Sequence, residues 1–172
     1  MNHPRDIIVI GFGNPARADD GLGPALVRAL EREPIDGVAA TWDFQPAVEH
    51  AADVAEHRAV IFADASRDAP EPFSFTRPLP RADEPFSTHA LRPEHVAALA
   101  SDALGWRGAV YVLAIRGYSF DAFEERLTPR AHANLYDAVD ALRAALEADD
   151  VDARLKELLS ARNGAPCPTT RS

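Results

Sequence analysis

The chain has little cysteine, no long hydrophobic run and few positive charges, and each shortage excludes a class of protein. Its one cysteine, Cys167, rules out an internal disulfide framework and a zinc site built from several cysteines. No apolar run approaches the roughly 20 residues that a membrane-spanning helix needs. The N-terminus enters a predicted strand without the apolar stretch of a signal peptide. We therefore expect a cytoplasmic protein with no membrane partner.

Positive charge is also scarce, because 18 Lys and Arg residues face 27 Asp and Glu residues and leave a net charge of −9. Binding to a nucleic-acid backbone needs concentrated positive charge, so we expect no nucleic-acid partner. The composition, 47% hydrophobic and 26% charged, is typical of a globular protein. A chain of 172 residues fits one domain. We expect that domain over residues 1–162, followed by a flexible tail at 163–172.

Two catalytic patterns are missing as well. The sequence contains no His-Glu-x-x-His, which disfavours a protease with a resident zinc ion. No Ser-His-Asp or Cys-His set can be read from it either. Any hydrolytic chemistry would therefore depend on carboxylates or on a metal.

What the sequence does contain is an alternation of apolar strand-like runs with helical patterns. This order predicts a three-layer α/β/α fold with a five-stranded, mostly parallel sheet. The fourth strand is flanked by prolines and should be an edge strand that can run antiparallel. Strands are predicted at 7–10, 37–44, 58–65, 73–77 and 109–115, and helices at about 21–33, 46–56, 93–104 and 129–146. The acidic cluster Glu147–Asp150 can break the last helix, and a further amphipathic stretch continues to about 162.

The loop after the first strand carries the strongest local signal. Gly11-x-Gly13-x-x-Ala16 matches a dinucleotide-binding pattern. However, Asp19 and Asp20 stand where the negative phosphates would lie, and the helix begins well beyond the glycines. The acidic residue after the second strand, Asp43, also lies further along than the usual ~20 residues. Dinucleotide binding is therefore the least favoured reading.

Three side chains can converge at the carboxyl ends of the parallel strands. Asp20 follows the first strand, Asp64 ends the third, and His89 precedes the third main helix. Two carboxylates and one imidazole suit a divalent transition metal and leave coordination positions open for a substrate. The alternatives are ordinary, since an aspartate often caps a helix and a loop histidine is often only solvated.

The first loop, Gly11-x-Gly13-Asn14-x₄-Asp19-Asp20-Gly21-x-Gly23, resembles the N-terminal signature of the [NiFe]-hydrogenase maturation proteases. Further matches follow in the family's order and extend the resemblance over about residues 6–146. They are Asp64-Ala65 at a strand end, Ser87-Thr88-His89-Ala90-Leu91 before a helix, Ile115-Arg116-Gly117-Tyr118 after the fifth strand and Leu127-Thr128-Pro129 at the start of a helix.

The resemblance implies an aspartic-type endopeptidase that removes the C-terminal peptide of a hydrogenase large-subunit precursor. It places the metal-contacting set on Asp20, Asp64 and His89, with Asp20 and Asp64 also catalytic. The metal implied is nickel already loaded in the substrate, with no tightly bound resident ion. Asp19 should orient the loop or cap the first helix. Gly13 and Asn14 are candidate backbone or amide donors to the carbonyl at the cleaved bond, although a tight turn that needs glycine is the favoured explanation of Gly13.

The sequence also departs from the family pattern. Some relatives have glutamate at the position of Asp20, and the stretch 66–72 lacks a Pro-Gly pair that is common there. Cleavage would proceed by carboxylate- or metal-assisted attack of water on the peptide carbonyl. The alternatives are a maturation chaperone of the same fold that does not cleave, another small hydrolase, or a small nucleotide-binding protein. No sequence pattern indicates an oligomer, and we expect a monomer.

Overall fold

The computed structural model describes residues 6–78 and 91–163, and strands alternate with helices along them. The strands are β1 Ile7–Phe12, β2 Val38–Asp43, β3 Ala59–Ser66, β4 Phe73–Thr76 and β5 Ala109–Arg116. The helices are α1 Leu22–Arg32, α2 His50–Ala55, α3 Pro93–Leu104, α4 Pro129–Leu146 and α5 Val151–Arg162, with a short 3-10 turn at Ala18–Gly21 before α1.

The strands form one sheet in the order β2-β1-β3-β5-β4. β1, β2, β3 and β5 are parallel, whereas β4 pairs antiparallel with β5 at the edge. The predicted mostly parallel sheet and its antiparallel edge strand are thereby confirmed. We call the end at which the four parallel strands finish the carboxyl end of the sheet. The loops that leave this end are β1–α1, β2–α2, β3–β4 and β5–α4.

Helices cover both faces of the sheet, which makes three layers. α1, α4 and α5 pack on the face that presents Val9, Ile61 and Leu113. α2 and α3 pack on the opposite face, against Ile10 and Phe62. Because β1 and β3 are covered on both sides, their residues form the continuous apolar runs seen in the sequence.

α1 lies unusually close to the sheet at Gly23. A Cβ atom at this position would overlap the carbonyl oxygen of Phe12 and lie 2.7 Å from that of Ala63. Only glycine allows this approach, and it brings the first turn of α1 and the preceding acidic residues directly over the ends of β1 and β3.

The prediction for α2 was wrong at its start. Residues 46–47 are irregular and residues 48–49 form a turn, and the helix begins at His50 instead of Pro46. The backbone N–H of Ala47 donates to the His50 ring at 2.9 Å, so this ring closes the turn in place of a first helical turn. Val48 lies in this turn and is exposed.

Two predicted boundaries near the C-terminus are confirmed. Thr128 caps α4, its hydroxyl oxygen accepting from the N–H of Ala131 at 3.3 Å. The acidic stretch after Leu146 separates α4 from α5, where Asp150 is the N-cap. No helix in the two described ranges is long and apolar enough to cross a membrane. Most of the predicted tail, residues 164–172, lies outside the described residues.

Candidate active site

One row of residues crosses the carboxyl end of the sheet and contains two carboxylates. Asp43 pairs with Phe12 between β2 and β1, and Asp64 pairs with Ala114 between β3 and β5. Gly11 pairs with Ala63 just below, so Phe12 and Asp64 are neighbours on adjacent strands. Side chains alternate along a strand, which puts Asp64 on the same face as Phe62, towards α2 and α3.

Asp20 reaches this row because the β1–α1 loop folds back on itself. Gly13 has φ 135°, and a Cβ atom there would overlap the carbonyl oxygen of Asp20. The backbone N–H of Asn14 donates to Oδ2 of Asp20 at 2.9 Å and fixes the half-buried carboxylate against the start of the loop. The tight turn is therefore the structural role of Gly13.

The environment of Asp64 favours its protonated form. Burial, helped by the negative charge of nearby Asp20, raises the pKa of Asp64 from 3.8 to about 7. The N–H of Ala65, which donates to Oδ1 at 2.7 Å, lowers the pKa but does not offset burial. Two carboxylates close together, one of them holding a proton near neutral pH, can take up and release protons during hydrolysis.

Asp19 has a different role from Asp20, although the two are adjacent. It is fully buried, and its carboxylate accepts hydrogen bonds from the β5–α4 loop. The donors are the N–H groups of Tyr118 (2.8 Å), Ser119 (3.0 Å) and Thr128 (2.7 Å) and the Thr128 hydroxyl (2.8 Å). Asp19 therefore holds the β1–α1 and β5–α4 loops together, as the prediction that it orients the loop requires.

The third predicted ligand, His89, lies outside the described residues. Within residues 6–78 and 91–163, no three His, Cys, Asp or Glu side chains are grouped so that they could hold a metal ion. The described part of the site is therefore the Asp20–Asp64 pair, and the three-ligand set stays a prediction.

The backbone N–H groups that were predicted as donors to a substrate carbonyl are already engaged. The N–H of Gly13 donates to the carbonyl oxygen of Asp43 at 3.1 Å, and that of Asn14 donates to Asp20. The side-chain oxygen of Asn14 accepts from the N–H of Ala16. These groups shape the loop, so the expectation that their backbone N–H groups face a substrate was wrong.

Sequence reasoning missed a histidine–carboxylate pair beside the site. Nε2 of the buried His50 lies 3.5 Å from Oδ2 of Asp43, and the ring meets Phe12 edge-on at 5.3 Å. The helical spacing could have indicated that His50 is buried, because it lies one residue before Ala51 and four before Val54, and both of these are on the buried face of α2. His50 closes the β2–α2 loop next to the row that contains Asp64.

The strand order and the two layers of helices define a three-layer α/β/α protein with carboxylates at the carboxyl end of its sheet. No protein-family model matches the sequence, and no curated protein matches it. Solved structures do match, and hydrogenase maturation proteases are among them.

The [NiFe] hydrogenase maturation protease HycI from Thermococcus kodakarensis is similar with a TM-score of 0.67 and 22% identity, over 83% of this chain and 92% of that one. The hydrogenase maturating endopeptidase HybD from E. coli is similar with a TM-score of 0.61 and 24% identity, over 81% of this chain and 91% of that one. A hydrogenase 2 maturation peptidase from a Thaumarchaeota archaeon is similar with a TM-score of 0.58 and 23% identity, over 81% of this chain and 97% of that one. The chain has the fold of these proteases, and the predicted resemblance is confirmed at the level of the fold.

Proposed function

We propose that this protein is an endopeptidase that removes the C-terminal peptide of a nickel-loaded [NiFe]-hydrogenase large-subunit precursor. The observation that carries the proposal is the Asp20–Asp64 pair at the carboxyl end of a sheet whose fold is that of hydrogenase maturation proteases. Ligand sites of open α/β sheets lie at this end.

In the proposed reaction a water molecule attacks the peptide carbonyl. Asp20 accepts a proton from the water as the new C–O bond forms. Asp64, which holds a proton near pH 7, supplies one to the nitrogen as the C–N bond breaks. The atoms balance, because one water is consumed and a carboxylate end and an amine end are released.

The nickel carried by the substrate acts as a recognition element. We assign its contacts to Asp20, Asp64 and His89, two carboxylates and an imidazole that leave room for ligands from the substrate. Asp64 would contact the ion through the unprotonated oxygen of its carboxyl group, so that the proton on the other oxygen stays available for the leaving nitrogen.

Processing of purified precursor tests the proposal. We expect nickel-loaded precursor to lose a C-terminal peptide, measured by mass spectrometry, and metal-free precursor to stay intact. Asp20→Asn and Asp64→Asn should each slow cleavage at least ~100-fold, the usual range for a lost acid–base group. His89→Ala should also impair it.

Asp68→Asn is the matched control, since Asp68 is an exposed carboxylate just past β3, and this variant should cleave normally. Binding of the nickel-loaded precursor without shortening would instead favour a non-cleaving chaperone. Normal cleavage by both Asp20→Asn and Asp64→Asn would show that the site is assigned wrongly.

A further inference from the structure

Exposed apolar side chains gather at the carboxyl end of the sheet, on both sides of the loop that carries Asp20. Phe44 (60% exposed) and Val48 (56%) lie in the β2–α2 loop, and Phe123 (85%) lies in the β5–α4 loop. Among the described residues only two other large hydrophobic side chains are exposed, Leu104 and Tyr136. We call Phe44, Val48 and Phe123 the docking face.

The β2–α2 side of the docking face is held in place by contacts below it. The carbonyl of Asp43 accepts from the N–H of Gly13 at 3.1 Å, which joins this loop to the β1–α1 loop. The Phe44 ring meets the Trp42 ring edge-on at 5.7 Å. His50 closes the loop through Ala47. Phe44 and Val48 are therefore presented to solvent by an anchored loop.

The β5–α4 side is anchored to the same central loop. The N–H of Ala18 donates to the carbonyl oxygen of Glu124 at 2.8 Å. The guanidinium of Arg17 stacks over the Phe123 ring, 5.7 Å from its centroid. Asp19 adds its hydrogen bonds to Tyr118, Ser119 and Thr128. Both sides of the docking face are thus tied to the loop that positions Asp20.

We propose that the docking face binds apolar side chains of the large-subunit precursor on either side of the bond that is cleaved. This inference rests on the proposed function and names the surface that recognises the substrate. Aromatic side chains supply most of the binding energy in many protein interfaces. Because both loops are already anchored, little ordering is needed when a partner binds.

Charge identifies the chemistry of the partner. Asp20, Asp43 and Glu49 lie between or beside the apolar residues and outnumber the guanidinium of Arg17 at Phe123, so the complementary surface carries a cationic centre flanked by apolar groups. The nickel of a metal-loaded precursor would supply such a cationic centre. A second copy of this chain, with a net charge of −9, would instead bring two acidic clusters together.

Steady-state processing of the nickel-loaded precursor tests the docking face. We expect Phe44→Ser and Phe123→Ser each to raise KM roughly tenfold, with kcat within about twofold of the parent value. Leu104→Ser is the matched control, because Leu104 is 54% exposed but ends α3 at the opposite end of the sheet. It should leave KM unchanged. Urea unfolding checks that all three variants stay folded.

The outcomes separate this inference from the proposed function. If the parent protein cleaves and neither phenylalanine variant changes KM, the docking face is wrong and the function stands. If the parent protein does not cleave, the proposed function fails, and direct binding of the same precursor decides the docking face. Weaker binding by the variants supports it, and unchanged binding overturns it. A concentration-dependent dimer that Phe123→Ser dissociates would show that a second copy occupies the face.

Discussion

Asp19 and Asp20 are neighbours along the chain, yet their carboxylates have different surroundings. Asp19 is fully buried and accepts four hydrogen bonds from another loop. Asp20 is half-buried, accepts from Asn14 and lies close enough to Asp64 to raise its pKa. At the scale of the residue, one aspartate therefore stabilises the site and the other is available for chemistry.

This division predicts unequal effects on stability. In Asp19→Asn an NH₂ group replaces one of the acceptor oxygens, so backbone N–H groups of the β5–α4 loop lose their acceptor. The substitution should lower the free energy of unfolding by about 3 kcal/mol. Asp20→Asn removes one hydrogen bond at a half-exposed position and should cost less than about 1 kcal/mol. Urea unfolding of the two variants measures the difference. Equal losses would contradict the role assigned to Asp19.

The raised pKa of Asp64 predicts a pH-dependent stability. The folded state holds this proton up to about pH 7, whereas the unfolded state releases it near 3.8. The folded protein therefore binds more protons over this window, and the contribution of Asp64 to stability falls as pH rises from about 4 to 7.

Asp64→Asn removes the titration. Relative to this variant, the parent protein should lose up to roughly 4 kcal/mol between pH 4 and pH 8. Unfolding curves at several pH values give the difference, and Asp68→Asn serves as the exposed control. A constant difference between Asp64→Asn and the parent across this range would mean that Asp64 is ionised throughout.

At the scale of the element, the close contact at Gly23 sets the position of α1 on the sheet. Substitution of Gly23 sets a gain in helix propensity against a loss from overpacking. Helix propensity alone would make Gly23→Ala stabilising by up to ~1 kcal/mol. The added Cβ would overlap the Phe12 carbonyl and lie 2.7 Å from that of Ala63, and such overpacking costs about 1–3 kcal/mol. We expect net destabilisation by thermal unfolding and, because α1 must shift, slower processing. A stabilised variant would show that the helix adapts without cost.

The elements differ in how far they could be predicted. β1 and β3 are buried on both faces, so their unbroken apolar runs located them closely. α2 was predicted too long because Pro46 and the apolar residues after it resemble a helix start. A side-chain contact, the His50 ring accepting from Ala47, forms a turn there instead. Local pattern does not contain that contact.

At the scale of the whole molecule, the sheet order brings the loops of the candidate site together from distant parts of the chain. β1 and β3 are adjacent, so the loop after β1 brings Asp20 close enough to Asp64 at the end of β3 to affect its charge state. Asp19 connects to Thr128 although the two are far apart in sequence. The proposed docking face depends on the same assembly, because its residues come from loops after β2 and β5.

The sequence by itself determined the strand–helix alternation, the three-layer parallel fold and the placing of Asp20 and Asp64 at the strand ends. It could do so because burial of one face or of two faces of an element imposes a regular spacing of apolar residues along the sequence. Only the tertiary structure decided that Asp19 is a buried anchor, that Asp64 keeps its proton near neutral pH and that Phe44, Val48 and Phe123 stay exposed. Those properties depend on desolvation and on partners distant in sequence, which local periodicity does not record.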